Sequence, residues 1–189
     1  MLTDNVRQTV SIAEKKMQDA VNFFEEDLKT YRVGKANPTV FNPVQVDYYG
    51  TMSPLQNVAS VAVADARTLT VTPWEKSMIA KIEKAILDAN IGLTPSNNGE
   101  MIRCVVPPLT EERRKELIKK AKAEGENTKV SVRNARRDAV EALKKLQKNE
   151  GVSEDIEKEG EDEVQKLTDR FVKKIDELET AKEKEIMTV

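Results

Sequence analysis

The apolar residues of this 189-residue chain change period twice along its length. Val6, Val10, Ala13, Met17, Ala20, Phe24, Leu28 and Tyr31 follow one another at steps of three or four residues. That spacing predicts a helix packed in a bundle or coiled coil. Thr3 or Asp4 can cap its start. The stripe stops at Gly34, and Asn37-Pro38 closes any helix, because proline excludes the helical region for the residue before it. From Pro38 to Pro108 the period shortens. Val44, Val46 and Tyr48 alternate with Gln45 and Asp47 as in a half-buried strand, and residues 58–63 and 67–71 are further β-prone runs. Thr72-Pro73-Trp74-Glu75 reads as a capping box opening a helix that buries Ile79, Ile82 and Ile86, with Gly92 just past its end. Asn98-Gly99 marks a turn, and residues 101–106 form a last strand with Cys104 in its core.

After Pro107-Pro108 the helical period returns. Thr110, Glu111 and Glu112 suit a helix start, since acidic side chains favour the first turn. Thr128, Val132, Ala135, Ala139, Ala142 and Leu146 carry one stripe. Gly151 and Ser153 mark a break and a new cap, and Val164, Leu167, Phe171, Ile175 and Leu178 carry the next stripe. A helix over 110–150 is roughly 60 Å long, at about 1.5 Å per residue. No amphipathic helix can bury its stripe alone, so these three should meet in one bundle. The expected fold is therefore α+β: a three-helix bundle of residues 1–31 and 109–189, with residues 32–108 inserted as a small β/α/β sandwich domain. The two connections, Val33-Gly34 and Pro107-Pro108, are adjacent and read as a hinge.

Composition narrows the function. Charged residues make up 34% of the chain and aromatics 4%, a balance that suits solvent-exposed helices better than a thick enzyme core. There is no histidine, which removes the commonest general base and most zinc sites. Neither a GxxxxGK[ST] loop nor a GxGxxG sequence is present. The carboxylate run Glu161-Asp162-Glu163 reads as a solvated face. No catalytic activity, cofactor or metal is expected. A single cysteine fits a reducing compartment. Met1-Leu2-Thr3-Asp4-Asn5 does not resemble a secretion signal, and no apolar run approaches the length of a membrane span. A cytoplasmic, monomeric protein without membrane contact is expected.

The net charge of -2 conceals an asymmetry. Residues 110–149 hold 13 Lys and Arg against 7 Asp and Glu, whereas residues 150–189 hold 7 against 14. On a helical wheel at about 100° per residue, with Thr128 at zero, the apolar stripe lies within roughly ±40°. Lys129, Arg133, Arg136, Arg137 and Lys144 lie at roughly +80° to +180° and form one lateral face clear of the core. Arginine forks suit bidentate contact with phosphate. From these residues alone two readings stay open. One is an RNA-binding rod with a mobile insert. The other is a structural or chaperone-like coiled-coil module whose charges serve only helix pairing.

The same residues resemble the bacterial ribosome recycling factor family from end to end. The likeness rests on Arg32-Val33-Gly34-Lys35-Ala36-Asn37-Pro38, Val46-Asp47-Tyr48-Tyr49-Gly50 and Ala66-Arg67-Thr68-Leu69. Its most specific segments are Pro107-Pro108-Leu109-Thr110-Glu111-Glu112-Arg113-Arg114 and Val132-Arg133-Asn134-Ala135-Arg136-Arg137-Asp138-Ala139, followed by Gln165-Lys166-Leu167-Thr168-Asp169. The resemblance implies an L-shaped, tRNA-like outline. It implies binding across the A and P sites of the large ribosomal subunit after termination, and subunit splitting with elongation factor G and GTP. Arg133, Arg136 and Arg137 match the family's rRNA-contacting arginines, and Arg32 and Arg113 match further basic positions near that surface. The family usually carries arginine where this chain has Lys35, exchanging a planar fork for a point charge.

Overall fold

The structure is a computed structural model and describes residues 2–188. Met1 and Val189, the outer limits of the expected bundle segments, lie outside the described residues. The described chain divides into two compact units, one running up to Tyr31 and again over Glu111–Thr188, the other over Arg32–Thr110. The second boundary falls just beyond the diproline, where the helical backbone begins. The fold is α+β.

The helical unit contains α1 (Asp4–Lys29), α4 (Glu111–Glu150) and α5 (Glu154–Met187), each packed on the other two. Thr3 occupies the α1 cap position, but its side chain makes no capping hydrogen bond. Ser153 does cap α5, its hydroxyl accepting from the Ile156 amide at 3.4 Å. Most of the expected stripes face the core, with Met17, Phe24, Val132, Phe171 and Ile175 essentially inaccessible. Two stripes are corrected in phase. Val21 is fully buried where Ala20 was expected, and Leu143 where Ala142 and Leu146 were expected. Val21 and Leu143 each replace a smaller alanine one residue away and so remove more apolar area from water, at roughly 25 cal/mol per Å², while Leu146 stays half-buried. Lys182 is also buried, its ammonium reaching Glu185 at 3.0 Å.

The other unit contains two antiparallel sheets. Strands β1 (Gln45–Tyr48) and β2 (Thr51–Pro54) form a hairpin. Its two-residue turn, Tyr49-Gly50, has φ of +50° and +88°, the left-handed pair that matches strand twist. A single helical turn, α2 (Leu55–Val58), leads to β3 (Ala59–Asp65) and β4 (Thr68–Pro73). After α3 (Ile79–Asp88) come β5 (Thr94–Asn97) and β6 (Ile102–Val105), giving a sheet of order β3-β4-β6-β5. Phe41, Leu55, Leu69, Ile82, Ile86, Ile102 and Cys104 form its core.

The capping box is overturned. Thr72 and Pro73 extend β4 and pair with Ser60 and Ala59, and helical backbone begins only with a 3-10 turn at Lys76–Met78 before α3. Strand pairing satisfies that backbone, so no helix cap forms there. Glu75 instead accepts hydrogen bonds from the hydroxyls of Tyr48 and Tyr49, at 2.7 and 2.8 Å. These bonds hold its carboxyl below the usual carboxylate range. Strands β2 and β5 were not expected. Neither alternates: β2 has no buried residue, and β5 buries only Pro95, which an edge strand tolerates.

Candidate nucleic-acid interface

The candidate surface lies on the middle of α4, where Thr128, Val132, Ala135 and Ala139 face the bundle core. That phase fixes where every other side chain of the segment points. Arg133 and Arg137 are exposed and, among the described residues, make no hydrogen bond or ion pair. Both guanidiniums keep all five donors available. Arg136 sits at the seam with α5, half-buried, and its Nη1 donates to Gln165 Oε1 at 3.1 Å. Gln165 Nε2 in turn donates to Asp169 Oδ1 at 2.8 Å. An open groove runs between the two helices, lined by Arg133, Asn134, Arg136, Arg137, Val140 and Gln165. Glu161 and Asp162 close its far wall.

The remaining basic residues are not equivalent. Lys144 is well exposed, with Glu161 at 3.9 Å, close to the limit of an ion pair. Lys129 departs from expectation. Only 12% of its side chain is accessible, and its ammonium lies 2.7 Å from Asp176 and 2.8 Å from Glu126. Its hydrogen bonds to Asp176 and then Glu126 hold it above the ordinary lysine range. Its charge is consumed inside the bundle, because its wheel position borders α5 and a carboxylate waits there. Arg113 pairs with Glu116 one turn on, at 2.9 Å, and is otherwise exposed. Arg32 belongs to the β-rich unit, where its Nη1 donates to the Ile91 carbonyl at 2.6 Å and ties the chain's entry to the loop after α3. Of the expected hinge residues, Val33 is buried, Gly34 has φ of +77°, and Pro107 and Pro108 are exposed and outside regular structure.

Residue-by-residue chemistry does not single out Gln165 and Asp169. Their only local signal is i,i+4 spacing on α5, which brings an amide and a carboxylate onto one face.

The helical unit thus presents an exposed arginine face on α4 beside an open groove against α5. The ribosome recycling factor family pattern matches residues 24–187. The ribosome-recycling factor of Parabacteroides distasonis is 58% identical over 185 residues, covering 98% of this chain and 99% of that protein. That of Cupriavidus metallidurans is 54% identical, covering 97% and 99%. A solution structure of the ribosome recycling factor superposes with a TM-score of 0.74 at 34% identity over the full length of both chains. The Thermus thermophilus factor, described together with Escherichia coli elongation factor G bound to the post-termination complex, gives 0.59 at 41% identity, covering 98% and 99%. The protein is thus of the class of non-enzymatic translation factors. It belongs to the ribosome recycling factor family.

Proposed function

We propose that this protein binds the post-termination ribosome across the A and P sites of the large subunit. With elongation factor G and GTP hydrolysis it promotes splitting into subunits, freeing the mRNA for a new round of translation. The observation that carries this reading is the end-to-end similarity to the T. thermophilus factor described on the post-termination complex with elongation factor G. On this reading Arg133, Arg136 and Arg137 contact ribosomal RNA through phosphate, and Lys144, Arg113 and Arg32 are further basic contacts. Lys129 contributes to the bundle instead. The hinge at Val33-Gly34 and Pro107-Pro108 lets the β-rich unit move while the helical unit stays anchored. The protein acts as a cytoplasmic monomer.

The test is a splitting assay on purified post-termination ribosomes, followed by light scattering. Splitting should require this protein, elongation factor G and GTP together. Ribosomes left intact by that mixture, or GTP hydrolysis by this protein alone, would overturn the reading.

A further inference from the structure

Arg136 is the only arginine of the Arg133, Arg136 and Arg137 set held by another side chain, and what holds it is an amide. A guanidinium is purely a donor and a carboxylate purely an acceptor, so only a group with both functions can bridge them. Gln165 does so, its Oε1 accepting from Arg136 at 3.1 Å and its Nε2 donating to Asp169 at 2.8 Å. A direct carboxylate partner would also orient Arg136 but would cancel its charge, as Asp176 and Glu126 do for Lys129. The amide occupies a single guanidinium N–H and leaves the cation intact, with its other donors free. Asp169 fixes which way the amide points and stands one side chain removed from the guanidinium.

We infer that Gln165, oriented by Asp169, is a positioning residue that presets the Arg136 guanidinium for a phosphate of the ribosomal RNA. The inference rests on the proposed role of Arg136 above and adds the device that prepares it. Arg133 and Arg137 have no such partner among the described residues and must lose more rotamer freedom on binding. Arg136 has already lost part of it in the free protein, so its contact costs less to form. Gln165 itself touches no RNA and changes no charge.

The experiment compares large-subunit affinity, its salt dependence and melting temperature for Arg136→Ala, Gln165→Ala, Gln165→Met and the double variant Arg136→Ala/Gln165→Ala. Gln165→Met keeps length and helix propensity and removes only the polar bridge. Both single Gln165 variants should bind roughly 2- to 10-fold more weakly, the range expected for one side chain left to be immobilised on binding. Melting temperature should hold. The slope of log affinity against log salt should also hold, since no charge is lost, whereas Arg136→Ala should make that slope shallower by about one. In the Arg136→Ala background, Gln165→Ala should have no further effect. Side-chain 15N relaxation of the Arg136 guanidinium should show faster motion in Gln165→Met than in the parent protein. The inference is overturned by Gln165 variants of full affinity, or by a loss equally large without Arg136. If Arg136→Ala itself binds at full strength, the RNA contact assigned to Arg136 fails first, and the positioning role falls with it.

Discussion

At the scale of single residues, neighbouring cations on one helix differ in accessibility and partner chemistry, and on the proposed reading that difference separates their roles. Arg137 is exposed and has no partner among the described residues, so Arg137→Ala should leave the melting temperature almost unchanged, within the roughly 1 kcal/mol that exposed charges contribute. Large-subunit affinity should fall roughly 10-fold, the equivalent of about 1.4 kcal/mol, within reach of one charge-assisted hydrogen bond. A titration of binding alongside a thermal melt checks both. Lys129→Ala should show the opposite pattern: a stability loss of about 1–3 kcal/mol with near-parental affinity, because it strips two carboxylates of a half-buried partner. The sign with pH follows from its raised folded pKa. The Lys129 contribution is present in full below the ordinary lysine value of 10.5 and is lost as pH rises through the higher folded value. Denaturant titrations of parent and Lys129→Ala should therefore converge at strongly alkaline pH. A constant difference between them across that range would contradict the ion pair.

At the scale of elements, the approach of the helices is set by what is missing from their faces. A Cβ on Gly160 of α5 would lie 2.9 Å from Val6 of α1 and 3.2 Å from both terminal methyls of Leu143 of α4. Alanine gains about 1 kcal/mol in helix propensity over glycine, but overpacking a tight contact costs about 1–3. Gly160→Ala should thus be neutral to destabilising, where an exposed helical glycine would be stabilised. A thermal melt raised by several degrees would show that the three helices can part there at no cost. The α4–α5 seam holds a second test. Burial pushes the Glu179 carboxyl above the usual carboxylate range, although the nearby Lys129 opposes the shift. A raised folded pKa favours the native state at low pH and works against it once both states are ionised. Glu179→Gln should raise the melting temperature at neutral pH, and the advantage should vanish below about pH 4, near the unfolded carboxylate value. Its persistence at pH 3 would assign it to packing instead.

At the scale of the whole molecule, function on the proposed reading depends on an anchored helical unit and a second unit free to move. A covalent cross-link between the two units should leave ribosome binding intact and abolish splitting with elongation factor G. The native thiol does not interfere with cysteine cross-linking, because Cys104 is fully buried and burial pushes it up to about 11. A cross-linked protein that split ribosomes at the normal rate would remove the hinge from the mechanism. Gly34, at φ of +77°, sits in one of the two connections and offers a gentler probe. A Cβ there costs on the order of 1–3 kcal/mol of backbone strain, which Gly34→Ala should reveal as reduced splitting at unchanged affinity.

The sequence alone determined that there are three long helices, where each turns over, and that a β-rich segment interrupts them. Those features come from periodicity, proline sterics and caps such as Ser153, all of which act over a few residues. It also determined the arginine face, since the Thr128–Ala139 stripe fixes the opposite side of α4 by geometry alone. Tertiary structure decided phase. Whether Val21 or Ala20, Leu143 or Ala142, enters the core depends on the partner helix, because a one-residue step rotates a face by only about 100°. It decided that Thr72-Pro73 continues a strand and Glu75 meets two tyrosines, since pairing with β3 outweighs a local capping preference. It revealed β2 and β5, edge strands with no alternation to read. Finally, it separated Lys129 from Arg136, which share a side of the wheel. Only the facing residues of α5, a carboxylate in one case and an amide in the other, determine whether a cation is neutralised or left charged and held in place.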